Sequence, residues 1–467
     1  MSIAAPASVP ETDLTARQPI GLLLASALLW LVVSGVLSLI TTIQLHTPAF
    51  LADCPVFTYG RAQALQETAF VYGWAANAAF AVAIWILGRL SGMPLRGLGL
   101  CIVGAFFWNL GVLIGTVCIA SGEMTGIPFL QMPAYVHAFL LVAYAAIATP
   151  GILAWTGRRA GTTFVAQWYA VAALFIFPWA YSAVQVLLLA LPVQGTAQAV
   201  MASWFAANVV NLWLLPIALA AAYYLVPKIT GRTLSNYDYA PHGFWTLIFF
   251  GSWTGARQLV GGPVPAWIPT LAIVCTMLVL FHCLILALNL RAGVCAEGNP
   301  VLRFVRAGLL AYLIGGVVTA AFSFRGLAQV VQFTYFPVAQ LKLSLVGAFS
   351  LPIFGAIYFL VPRVTGAEWP SRGLICAHYG ITLLGLLVTV ASLAIGGWIQ
   401  GQGLLNPAES LAAIAARTKP WLLAATAGEA LLLLGSLVLT LHFFRLQCAI
   451  CRATVCCVLG TGEASAS

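Results

Sequence analysis

Charge is the scarcest commodity in this sequence: 20 basic and 11 acidic residues make up 7% of 467 positions. A soluble globule carries charge on about a quarter of its residues, so that class is excluded. Histidine is sparse too. The six present, His46, His137, His242, His282, His378 and His442, include no adjacent pair. None stand three or four residues apart, the spacing at which two imidazoles share one helix face and hold a metal together. Eleven cysteines are scattered through apolar stretches, which argues against a disulfide framework. The tail pattern Cys448-x-x-Cys451 with Cys456-Cys457 lacks the second well-spaced pair that a zinc site needs.

What fills the chain instead is apolar surface. Hydrophobic residues make up 62%, and runs of about 20 such residues suffice to cross a hydrocarbon core. The pattern predicts an all-α, polytopic membrane bundle of about twelve transmembrane helices between residues 20 and 446. The spans that matter most for function are expected near 64–90, 197–227, 241–262, 328–362 and 417–446. Residues 1–19 are polar and rich in Pro and Ala, without the basic start and cleavage pattern of a removed signal peptide, and are expected to form a disordered cytoplasmic tail. Residues 447–467 are expected to form a second cytoplasmic tail that carries cysteines.

The basic residues set an orientation. Fourteen of the 20 fall in the termini and the loops after even-numbered helices, four fall in the opposite loops, and Arg257 and Lys342 lie within spans. The excess marks the cytoplasmic side, placing both termini there. The net charge of +9 is then a matter of topology and contact with anionic lipids, and no nucleic-acid partner is implied.

The stretch Trp204 to Pro265 carries the strongest motif. It runs WFAANVVNLWLLP, passes through YYLVPKITGR, and ends in FWTLIFFGSWTGARQLVGGPVP. This frame resembles subunit I of the haem-copper oxidases, closest to the cbb-type cytochrome c oxidases. The likeness extends to TYGRAQALQETAF, to QFTYFPVAQLKLSLVGAF, to GAEWPSRG around Trp369 and to the exit at Ile399–Gly401, covering about residues 58 to 446.

The resemblance implies twelve helices, oxygen reduction and a set of haem and copper ligands, all histidines. At the copper-ligand places this chain has Ala207, Arg257 and Gln258. At the haem-ligand places it has Gln66, Gln340 and Lys342, and Gly251 stands where the family has a redox-active Tyr. A guanidinium has no lone pair to give a metal, and an amide offers iron no imidazole-like nitrogen. The expectation is therefore that haem and copper are lost and no catalytic residue remains. Glu67, an acid within the second span, is expected to pair with Lys342, with Gln66 bonded to the same ammonium. Residues 340 and 342 lie about 200° apart around a helix, so they should face two different sites.

Three functions remain open on the residues. The first is a non-catalytic, structural or regulatory homologue, set among lipids and other respiratory-complex subunits in a bacterial inner membrane. The second is an active oxidase or nitric-oxide-reductase relative that keeps haem through substitute ligands. The third is a membrane anion-binding transporter or sensor that uses Arg257 and Lys342.

Overall fold

A computed structural model describes residues 11–159, 161, 163–295 and 298–458. Among these residues the chain is helical throughout, without strands, and eleven helices are long and apolar enough to cross a membrane. They are α1 (Glu11–His46), α2 (Tyr59–Ser91), α3 (Leu98–Ser121), α4 (Ala134–Thr156), α5 (Val165–Ala190) and α6 (Thr196–Thr230) in the first half. After the short α7 (Ala240–Gly251) come α8 (Trp267–Cys295), α9 (Pro300–Ala321), α10 (Phe336–Thr365), α11 (Arg372–Leu404) and α12 (Leu411–Val458).

The helices divide into a core and a ring. The most apolar window of α2 is wholly buried, and those of α6 and α10 are 89% and 94% buried, whereas the other eight windows lie between 39% and 50%. Three central helices are thus wrapped by the rest. Small residues permit the close contacts. Gly428 of α12 lies so near α11 that a Cβ there would approach the Thr389 hydroxyl oxygen to 2.3 Å and the Gly385 carbonyl oxygen to 2.9 Å.

The central helices also end alike. Arg89-Leu-Ser-Gly92, Lys228-Ile-Thr-Gly231 and Arg363-Val-Thr-Gly366 close α2, α6 and α10. Each glycine is left-handed, with φ of 63°, 66° and 73°. Such a glycine stops a helix without the steric penalty a side chain would incur. The three endings make a short internal repeat.

Three expectations are corrected. The stretch 1–19 is not wholly a tail, because α1 begins at Glu11. Asp13 anchors that end, accepting from Trp85 Nε1 at 3.0 Å and from Arg89 Nη1 at 3.1 Å. The C-terminal boundary at 446 also moves, because α12 continues to Val458; no glycine or proline interrupts it before Gly460. Residues 1–10 and 459–467 lie outside the described residues. Finally, 241–262 is not one unbroken helix, and the chain completes this crossing through the turn that follows α7. Twelve residues give α7 a length of about 18 Å, well short of a hydrocarbon core of about 30 Å.

Candidate functional site

The end of α7 explains where the motif residues go. Its last carbonyls have no partners within the helix, and side chains from α6 supply them. Asn211 Nδ2 donates to the Gly251 carbonyl at 2.9 Å, and Asn208 Nδ2 donates to the Ser252 carbonyl at 3.1 Å. The two asparagines of W-F-A-A-N-V-V-N thus cap α7. The chain then turns through a 3-10 segment, Gly255–Leu259, whose first residue presses on α6: a Cβ at Gly255 would sit 2.2 Å from the Ser203 carbonyl oxygen. Arg257 and Gln258 therefore stand on this turn and not within a membrane helix, contrary to expectation. The Arg257 guanidinium donates to the Thr254 carbonyl at 3.1 Å, as a cation past a helix C-terminus does.

That turn roofs a chamber of about 360 Å³. Ala207 and Asn211 of α6, Arg257 and Gln258 of the turn, and Gln340 of α10 all line it. Four of the six ligand-position residues are thus brought together as the motif spacing implies. Gly251, also buried, lies just beside them, where a Cβ would meet Leu247 at 3.1 Å and Asn211 at 3.7 Å.

A second cavity of about 130 Å³ holds the other two, Gln66 and Lys342. Gln340 faces the larger chamber and Lys342 the smaller, so one helix does serve two sites. Glu67, Phe129, Val338 and Leu341 line both cavities and form the partition between them.

The partner of Lys342 is a further correction. Its ammonium does not pair with Glu67 or bond Gln66. Instead Nζ lies 2.7 Å from Glu429 Oε1 of α12 and donates to Ser38 Oγ of α1, also at 2.7 Å. Ser38 Oγ in turn donates to Glu429 Oε2 at 2.9 Å, closing a triad across three helices. Glu67 accepts from two amides, Gln63 Nε2 at 3.2 Å and Gln131 Nε2. Sequence reasoning missed Glu429 although a signal was present: it is the sole acid in the apolar run 417–446, and an acid at that depth requires a partner.

The backbone widens at each of these places. Wide π-helical turns occupy Ala69–Ala75 in α2, Val209–Leu214 in α6 and Leu343–Ser350 in α10. Each begins within a few residues of Gln66, Ala207 or Lys342, and such turns gather at functional positions. The further pair of wide turns in α5, Ala172–Ile176 and Gln185–Ala190, flanks Pro178, whose ring removes an amide donor from the helix.

Neither cavity is lined by histidine, cysteine or methionine. The histidines are engaged elsewhere. His282 is held between Tyr312 (2.6 Å) and Tyr169 (3.0 Å), His137 against Tyr181 (2.7 Å), and His378 against Tyr358 (3.1 Å). His442 accepts from the Ser371 amide, His46 bonds Thr47 and Thr426, and His242 is exposed. Among the described residues, no three His, Cys, Asp or Glu side chains are grouped so as to hold a metal ion, and Cys448 and Cys451 are exposed free thiols.

The family described as Cytochrome C and Quinol oxidase polypeptide I matches residues 18–431. A Cbb3-type cytochrome c oxidase subunit, CcoN1, of Stutzerimonas stutzeri is 24% identical over 387 residues, covering 80% of this chain and 81% of that protein. A cytochrome c oxidase subunit 1 homolog of Agrobacterium tumefaciens is 24% identical over 448 residues, covering 88% and 80%. Among solved structures, a heme-copper terminal oxidase dimer shares the fold with a TM-score of 0.74 at 16% identity, over 92% of this chain and 84% of that one.

Proposed function

Because the chain belongs to the cytochrome c and quinol oxidase polypeptide I family, we propose that it is a subunit I homologue that has given up haem and copper and serves a structural or regulatory role in a respiratory membrane complex. The observation that carries this reading is the pair of cavities. They hold the positions that the resemblance gives to metal ligands, yet those positions carry an alkyl stub, amides, a guanidinium and an ammonium, and the other polar groups on the walls are tyrosines, hydroxyls, amides and carboxylates. A pair of axial imidazoles and a three-imidazole copper site cannot be built from these groups, and the Tyr312 hydroxyl is already engaged by His282, so this donor set does not fit the family's centres. Oxygen chemistry in the family depends on those groups, because side chains alone cannot carry it.

Retention of haem through substitute ligands is the weaker reading. Lys342 could bind iron only as a neutral amine, and its nitrogen is already committed to Glu429 and Ser38. Gln66, across the same cavity, supplies an amide alone. What the fold retains is a rigid bundle whose outer helices expose apolar side chains such as Phe106, Trp179 and Phe281, suited to lipids and neighbouring subunits. The basic-residue asymmetry supports an orientation with both termini cytoplasmic, and the bacterial relatives support a bacterial membrane.

The test is an absorption spectrum and metal analysis of the protein purified from its own membranes, together with the identity of what co-purifies. The expected result is no Soret band, no stoichiometric iron or copper, and oxidase subunits in the same particle. Stoichiometric haem, or oxygen uptake by the isolated chain, overturns the proposal.

A further inference from the structure

The larger chamber is graded from polar to apolar along its length. The Gly255–Leu259 turn is level with the start of the wall: Gly255 lies against Ser203 of α6, and the Gln258 carbonyl accepts from Gln332 Nε2, just before α10. Ala207 and Gln340 line the chamber beyond those contacts. From there α6 and α10 each run eight residues, about 12 Å at 1.5 Å per residue, to Leu215 and Ala348 at the far end. Arg257, Gln258, Asn211 and Gln340 cluster at the near end, while Leu215, Val279 and Ala348 make the deeper wall together with the ring of Tyr312, whose hydroxyl is bonded to His282.

The near end holds an unused cation. Among the described residues, the Arg257 side chain donates only to the Thr254 carbonyl, and no carboxylate lies within ion-pair distance. A guanidinium has five N–H donors, so most of its capacity is open to the chamber. Lys342 is neutralised by Glu429 and faces the other cavity. The remaining charge on the wall is Glu67, at the partition, whose oxygens are held by the Gln63 and Gln131 amides. Arg257 is half-buried and Gln258 exposed, so the near end is also the open one.

We propose that this chamber binds a single-chain anionic amphiphile, its head on Arg257 and its chain directed toward Leu215 and Ala348. A carboxylate or a phosphate monoester supplies the head that the fork geometry of arginine accepts two-pronged. The length of the largely apolar wall seats about ten carbons, each buried CH₂ adding to affinity. The proposal rests on the haem-free reading, since a porphyrin in the chamber would leave no room for the chain.

Native mass spectrometry of the full chain in a neutral detergent, titrated with decanoate, decyl phosphate and decanol, tests it. Decanoate or decyl phosphate should add once per chain while decanol does not, and the tighter of the two heads identifies a free fatty acid or a phosphate lipid as the source. Arg257→Gln should weaken the adduct at least about tenfold, as loss of a buried charge partner does, while Arg257→Lys, which keeps the charge and loses the fork, weakens it less and Glu67→Gln tightens it. Should Arg257→Gln fail to elute like the wild type, Ala348→Phe, which fills the far end and leaves the head untouched, must abolish binding. Equal uptake of decanol, or unchanged binding in both Arg257→Gln and Ala348→Phe, overturns this inference and leaves the haem-free reading standing. Co-purified haem ends both.

Discussion

Removing the Glu429 carboxylate would strand the Lys342 ammonium among α1, α10 and α12, with Ser38 as its remaining partner. Breaking one side of a buried ion pair commonly costs about 3–5 kcal/mol, whereas replacing both sides with apolar residues is close to neutral. Glu429→Gln and Lys342→Met should therefore each lower stability by roughly 3 kcal/mol, and the double variant Lys342→Met/Glu429→Leu should recover most of that loss. Unfolding in mixed micelles measures it; two single losses that simply add would remove the triad from the account. Lys342 was legible as a buried cation in need of a counter-charge, because few residues in this chain are charged. Its partner was not. Glu67 is adjacent to the matching motif, but which of two acids reaches Nζ depends on how α12 lies against α1 and α10, and no local pattern encodes that packing.

Among the elements, α7 departs most from what hydropathy implies. Its apolar run reads as a full span, yet the helix ends at Gly251 because α6 offers its exposed carbonyls better partners, Asn208 and Asn211, than another helical turn would. Asn208→Ala and Asn211→Ala should each destabilise by about 1–2 kcal/mol, the usual loss for a buried hydrogen bond to a polar group left unpaired. The more specific readout is amide exchange, which should quicken at residues 251–258 while the centre of α6 stays protected. Gly255→Ala should have a larger effect on the same amides, since its Cβ would collide with the Ser203 backbone and dislodge the turn that carries Arg257. Uniform exchange changes across the bundle would instead mean that these residues support the fold at large. Glycine and proline marked the bend at 261–263 in the sequence; the earlier stop is a tertiary effect, set by two side chains 40 and 44 residues upstream of the carbonyls they bond.

At the scale of the whole molecule, three central helices with matching ends hold the sites at matching heights. Gln66 and Gln340 both stand 26 residues before their capping glycines, and Ala207 and Lys342 both stand 24 before theirs. The bundle, its helix count and the grouping of Ala207, Arg257, Gln258 and Gln340 were readable because hydropathy and motif spacing are local in sequence, and so were the opposed faces of residues 340 and 342. Orientation has its own check. In a background without the other cysteines, Cys451, exposed on α12, should react with a membrane-impermeant maleimide in inverted vesicles and not in right-side-out ones. The proposed loss of cofactors makes the strongest demand on the frame. If only the donors have gone, while the bundle still holds its helices at the family's spacing, imidazoles placed at both ends of the smaller cavity should recover a haem site. The variant Gln66→His/Lys342→His/Glu429→Leu supplies two such nitrogens and removes the carboxylate that Lys342 would otherwise leave unpaired. Reconstituted with haem, it should take up about one per chain and show the low-spin spectrum of two axial histidines, while Gln66→His alone should not. A triple variant that folds like the wild type and still excludes haem would show that the helices have closed over the site, and that restoring the donors is not enough.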